Sequence, residues 1–217
     1  MDETPMNFDM VPNRTINKKG ENTVSVRTRG AEKRHLTVVL TCTASGEVPP
    51  SMVIFKKIRE VKVNARGMVV TVQPKGWMDD TLMSRYIKEI FVRHVGQDSL
   101  LVMDSFRFHI SAATKKVLRR NKITSVIIPG GCSGKVQPLD VAINKPYKSV
   151  LRKLWSEWMA SNTLGDGTRD RIKAADYHTV VDWVAAGWEE LKKTQRPDCE
   201  KFPCLWHLQQ TGWERRP

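Results

Sequence analysis

Three aspartates, Asp2, Asp104 and Asp140, stand in contexts that suit a divalent-cation site. Asp104 ends the apolar run Leu100-Leu101-Val102-Met103, which reads as a buried strand delivering a carboxylate to the end of a sheet. Asp140 closes Val136-Gln137-Pro138-Leu139-Asp140, after a Gly-rich turn and before a long helical pattern. Asp2 stands in Met1-Asp2-Glu3-Thr4-Pro5. Carboxylates that converge repel one another unless they hold cations, and hard ions such as Mg²⁺ or Mn²⁺ take oxygen ligands of this kind. Two such ions about 4 Å apart clamp the entering and leaving oxygens of a phosphodiester displacement. Taken singly, each aspartate also suits a helix cap or a turn. His109, shortly after Asp104, suits either a contact to phosphate or to water around a cation, or a satisfied turn histidine.

The elements that must position these groups follow from pattern. Leu36–Cys42, Met52–Phe55, Met68–Val72, Leu100–Met103 and Ile123–Ile128 are β-branched or apolar runs and predict strands. Residues 79–93 predict a helix started by Asp79 or Asp80, with Leu82, Tyr86 and Ile90 on one face. Residues 111–120 predict a basic helix with Ser111 at its start, and residues 141–160 and 173–193 predict two longer ones. Trp155, Trp158, Trp183 and Trp188 fall on these last two, where packing is the expected role. Residues 7–31 read as a polar loop with a short strand at Val24–Val26. Strands followed by alternating strands and helices imply a layered α/β domain. Gly130-Gly131-Cys132-Ser133-Gly134-Lys135 is not a phosphate loop, because Val136 follows the lysine. Cys199, Cys204 and His207 lack a fourth zinc ligand.

The 36 Lys+Arg against 23 Asp+Glu give a net charge of +13, which attracts polyanions. Two basic clusters follow the aspartates. Lys115, Lys116, Arg119, Arg120 and Lys122 come after Asp104; Lys145, Lys148, Arg152 and Lys153 come after Asp140. DNA running past the carboxylates would meet both. At 40% hydrophobic residues the chain can bury a core, and its 4 cysteines are too scattered for a disulfide framework. The start carries no signal-peptide pattern, and no run reaches the roughly 20 apolar residues of a membrane span.

Four stretches resemble the catalytic domain of pogo/Tigger-type DDE transposases of the Tc1/mariner superfamily: Met1-Asp2-Glu3-Thr4-Pro5, Gly76-Trp77-Met78, Met103-Asp104-Ser105-Phe106-Arg107-Phe108-His109, and Gln137-Pro138-Leu139-Asp140 with Asn144-Lys145-Pro146-Tyr147-Lys148. The family has a smaller residue where Phe108 stands. The resemblance implies a ribonuclease-H-like mixed sheet with flanking helices, and Asp2, Asp104 and Asp140 as ligands of Mg²⁺ or Mn²⁺. It also implies DNA as partner and a nuclear location, and it is compatible with a homo-oligomer. It divides the chain into an endonuclease domain at 1–160, a helical extension at 161–193 and a divergent tail at 194–217. In the family the strand carrying the first aspartate precedes it, whereas here only Met1 does. The expectation is therefore a sheet lacking its first central strand, a frayed Asp2 and impaired catalysis. The family's helix-turn-helix region is also expected to be missing. A transposon-derived nuclear protein that binds DNA or other partners without catalysis is the alternative.

Overall fold

The computed structural model describes residues 1–10, 19, 34–57, 59, 65–163 and 175–194. Its first strand, β1 (Asp2–Asn7), pairs antiparallel with β2 (His35–Leu40), in a register that sets Asp2 against Leu40. β2 pairs antiparallel with β3 (Met52–Lys56), which lies parallel to β4 (Val69–Gln73). This gives a mixed sheet in the order β1-β2-β3-β4. A second, parallel pair follows from β5 (Leu100–Met103) and β6 (Thr124–Ile127). The two sheets meet at the start of β1, where the Met1 amino group donates to the Val102 carbonyl at 2.9 Å.

Strand alternation sends the sheet's side chains into two cores. Leu36, Val38, Leu40, Val53 and Phe55 face one; Val39, Met52 and Ile54 face the other, joined there by Leu101 and Met103. The second core is roofed by α1 (Asp80–Tyr86), which passes through a π turn at Ile87–Phe91 into α2 (Val92–His94). Asp79 caps α1 by accepting from the Leu82 amide at 2.9 Å. α3 (Ala112–Arg120) is capped by Ser111, whose hydroxyl also donates to Asp80 at 2.6 Å, tying the two helix starts together.

The first core is roofed by α5 (Asn144–Thr163) and α6 (Tyr177–Thr194). Trp155, Trp183 and Trp188 are buried in it, which is the packing role their helical spacing suggests. Gly187 lets the helices approach. A Cβ there would stand 3.0 Å from both Tyr147 and Leu151. The Gly-rich turn carries the short α4 (Ser133–Val136). Between it and α5 lies a second π turn, Leu139–Ile143. Pro146 accounts for that opening: a proline has no N–H and its ring crowds the carbonyl of residue Ala142.

The strands and long helices thus appear where the pattern places them, with one correction. The start of the chain is not frayed. Residues 2–7 form a strand, and Asp2 is 6% exposed. Its side chain is held as well as its backbone, by the register with Leu40 and by the Asn144 amide. The suggested strand at Val24–Val26, the tail, and the Cys199, Cys204 and His207 group lie outside the described residues. Among the described residues, no helix is long and apolar enough to cross a membrane.

Candidate active site

The site is built on consecutive residues of β1. Because neighbouring strand residues face opposite ways, Asp2 and Glu3 serve different sides of the sheet. Asp2 lies on the side of α5. There the Asn144 amide nitrogen donates to Asp2 Oδ2 at 2.8 Å and to Asp140 Oδ1 at 2.9 Å. Asp140 is exposed on the π turn, one helical turn before Asn144. Gln137, buried, donates its side-chain amide to the Met1 carbonyl at 3.0 Å and so fixes the loop before Asp140 to the strand bearing Asp2.

Burial pushes the Asp2 carboxyl up to about 6; the neighbouring Asp140 and Glu3 charges add to the rise, and the Asn144 hydrogen bond opposes it. Lys148, one further turn along α5, is lowered by its own burial, while the Asp2 and Asp140 charges oppose that fall. Asp140, Asn144, Lys148 and Arg152 recur every four residues and form one stripe along the helix.

Glu3 and Asp104 meet on the other side through His109, whose side chain is fully buried. Its Nδ1 lies 2.7 Å from Asp104 Oδ1, and its Nε2 lies 2.9 Å from Glu3 Oε1. Burial pulls the imidazole down, but the hydrogen bonds and charges of the two carboxylates outweigh it and push it to about 10. At neutral pH the ring is therefore a cation donating from both nitrogens. Asp104 is lowered, chiefly by the His109 hydrogen bond. Its Oδ1 also accepts from the Phe106 amide at 3.0 Å, so both described bonds fall on one oxygen.

Glu3, Asp104 and His109 place potential ligand atoms within 4.8 Å of one another. Without a cation these three form an ion-paired cluster around the imidazolium; a metal held here would take the imidazole in its neutral form. Asp104 stands with Glu3 and His109 on the other side of β1, so the oxygen-only pair that Asn144 brings together, of the kind a hard cation takes, is Asp2 with Asp140. Asn144 Oδ1 sits beside it, buried and without a hydrogen-bond partner. Asp2, desolvated and facing Asp140, is a pair of charges that a divalent cation would relieve.

Of the three aspartates, Asp2 and Asp140 are bridged directly, and Asp104 is tied to the adjacent residue of β1. Lys115, Lys116, Arg119 and Arg120 are exposed on α3, with Lys122 exposed just beyond it. Lys145 and Lys153 are exposed on α5, where Lys148 and Arg152 are half-buried. Sequence reasoning missed Glu3 and Asn144. Glu3 lies in the quoted first motif and Asn144 in the third, but neither motif tells which residue lies opposite which.

Comparison with known proteins agrees with this architecture. The chain belongs to the DDE superfamily endonuclease family, whose model matches residues 33–199. Its mixed sheet and flanking helices are consistent with the ribonuclease-H-like fold of that family. It is similar to "Pogo transposable element with KRAB domain" of Mus musculus, 27% identical over 88% of this chain and 32% of the relative. The Homo sapiens protein of that name is 28% identical over the same shares. "Pogo transposable element with ZNF domain" of Homo sapiens is 29% identical over 61% of this chain and 10% of the relative. The chain thus spans about a third of the length of the first two relatives. No solved structure matches it.

Proposed function

We propose that this chain is a DNA-directed, metal-dependent phosphodiester site of pogo transposase type, acting in the nucleus. The observation that carries the reading is the sharing of Asn144 by Asp2 and Asp140, at 2.8 and 2.9 Å. It fixes two carboxylates from distant parts of the chain against each other, an arrangement that costs energy unless a cation uses it.

Asp2, Asp104 and Asp140 would hold Mg²⁺ or Mn²⁺, which supplies charge stabilisation to the oxygens entering and leaving phosphorus. The chain's own residues do the rest. Asn144 and Gln137 lock the π turn against β1, and the His109 imidazolium sets the orientation of Asp104. Lys148 and Arg152 extend positive charge away from the carboxylates along α5. Lys115, Lys116, Arg119, Arg120 and Lys122 offer a second row for the phosphate backbone, with Lys145 and Lys153 at the flank. Such contacts position DNA without reading its sequence.

The test is nicking of supercoiled DNA with Mg²⁺ or Mn²⁺. The chain is expected to nick only with the metal, and Asp104→Asn and Asp140→Asn should each abolish nicking while DNA binding persists. Nicking that survives both variants would sink the assignment of these aspartates. A second reading, a DNA-binding protein without catalysis, is favoured by the ion pair that engages Asp104 Oδ1. Tight DNA binding with no nicking under either metal would decide for it.

A further inference from the structure

We propose that Phe106 is a stacking platform for an unpaired nucleobase beside the phosphate that the aspartates address. The inference rests on the reading above that DNA occupies this edge. Phe106 stands two residues beyond Asp104, and its own amide donates to the Asp104 carboxylate at 3.0 Å. The residue is nevertheless 38% exposed, and what distinguishes it from the other exposed apolar side chains is its place beside Asp104 and its aromatic neighbours.

The ring is also held in place. It packs edge-on against Phe108, with centroids 5.5 Å apart, and against His109, at 5.7 Å. His109 is itself fixed by Glu3 and Asp104, so the exposed ring inherits the rigidity of the site. The Arg107 guanidinium lies over the Phe108 ring at 4.5 Å, which sets a positive charge beside the aromatic pair. A rigid exposed aromatic, a neighbouring cation and a phosphate-directed site are the parts of a single-strand binding platform. Every base has a π-face, so stacking tolerates any sequence, and the cation takes the adjoining phosphate. A base pair inside a duplex has both faces covered by its neighbours and presents none to such a ring. The platform therefore favours DNA that is frayed or single-stranded at the point of attack.

The experiment measures binding of the whole chain, without divalent metal, to a duplex and to the same duplex with a single-stranded overhang containing 2-aminopurine. The wild type is expected to prefer the overhang and to change its 2-aminopurine fluorescence on binding. Phe106→Ala should lower overhang affinity about tenfold, the loss of one stacked base, and leave duplex affinity and the salt slope unchanged. Phe106→Trp should keep the preference; Phe106→Leu, which retains bulk without a π-face, should lose it. An unaltered overhang preference in Phe106→Ala would overturn the stacking role while leaving the DNA reading intact. Failure of the wild type to bind any DNA would overturn both. A drop in duplex and overhang affinity by the same factor in all three variants would show a structural effect and likewise reject the platform.

Discussion

Asn144 gives one amide hydrogen to each of two carboxylates that have little other reason to be neighbours. Its replacement by alanine leaves both acceptors without that donor, in a place where Asp2 has lost most of its water. Asn144→Ala is expected to destabilise the fold by about 1–3 kcal/mol, the usual consequence of orphaning a buried polar group. Chemical denaturation with and without Mg²⁺ tests this further. A cation shared by Asp2 and Asp140 should restore part of the loss, because it removes the repulsion that the amide had eased. Equal losses in both conditions would count against a shared cation. Asp104 and Asp140 stand out in the sequence because one ends an apolar run and the other follows a Gly-rich turn, whereas Asp2 was singled out by the family resemblance. Their partners were not. Glu3 reads as one more polar residue near the terminus until the register of β1 places it beside His109, a contact across 106 positions.

At the scale of elements, most of the fold was legible because apolar runs and helical spacing are local signals. β1 was not, because Pro5 and its polar neighbours look like a loop. At the edge of a sheet a proline is tolerated, and the buried Asp2, Thr4 and Met6 alternate with the others. The π turns were also hidden, because a shift of one residue in the helical phase barely disturbs an apolar stripe. Helix starts show the reverse, a local signal with a measurable effect. Asp176 accepts from the Thr179 amide at 2.8 Å at the head of α6, and that bond is the main reason its carboxyl is lowered. A depressed carboxyl stabilises the fold only while ionised. Its contribution is present above the ordinary carboxylate range and lost as pH falls through the lowered value. Asp176→Ala should therefore cost about 1 kcal/mol near neutral pH. The gap between variant and wild type should close in strong acid; a gap independent of pH would reject the capping role.

For the whole molecule, charge is the dominant property. With a net charge of +13, DNA affinity should fall steeply as salt is added. Arg119→Ala and Arg120→Ala should weaken binding alike on every sequence, and each lost phosphate contact should flatten the plot of log K against log salt by about 0.9. Filter binding or fluorescence anisotropy across a salt series measures this. A slope identical to that of the wild type would remove α3 from the interface.

The meeting of the two sheets has a mechanical consequence. Asp2 rides on the four-stranded sheet and Asp104 follows the end of the two-stranded one, and the backbone bond described between them is that from Met1 to Val102. Elsewhere the described links between the two are the Glu3–His109–Asp104 bridge and a shared apolar core that includes Leu101, Met103, Met52 and Ile54. The candidate carboxylates therefore stand on both sides of the seam between the two sheets. Anything that grips the carboxylates from both banks at once acts as a rivet, and the local stiffness of the protein becomes a property of what it has bound.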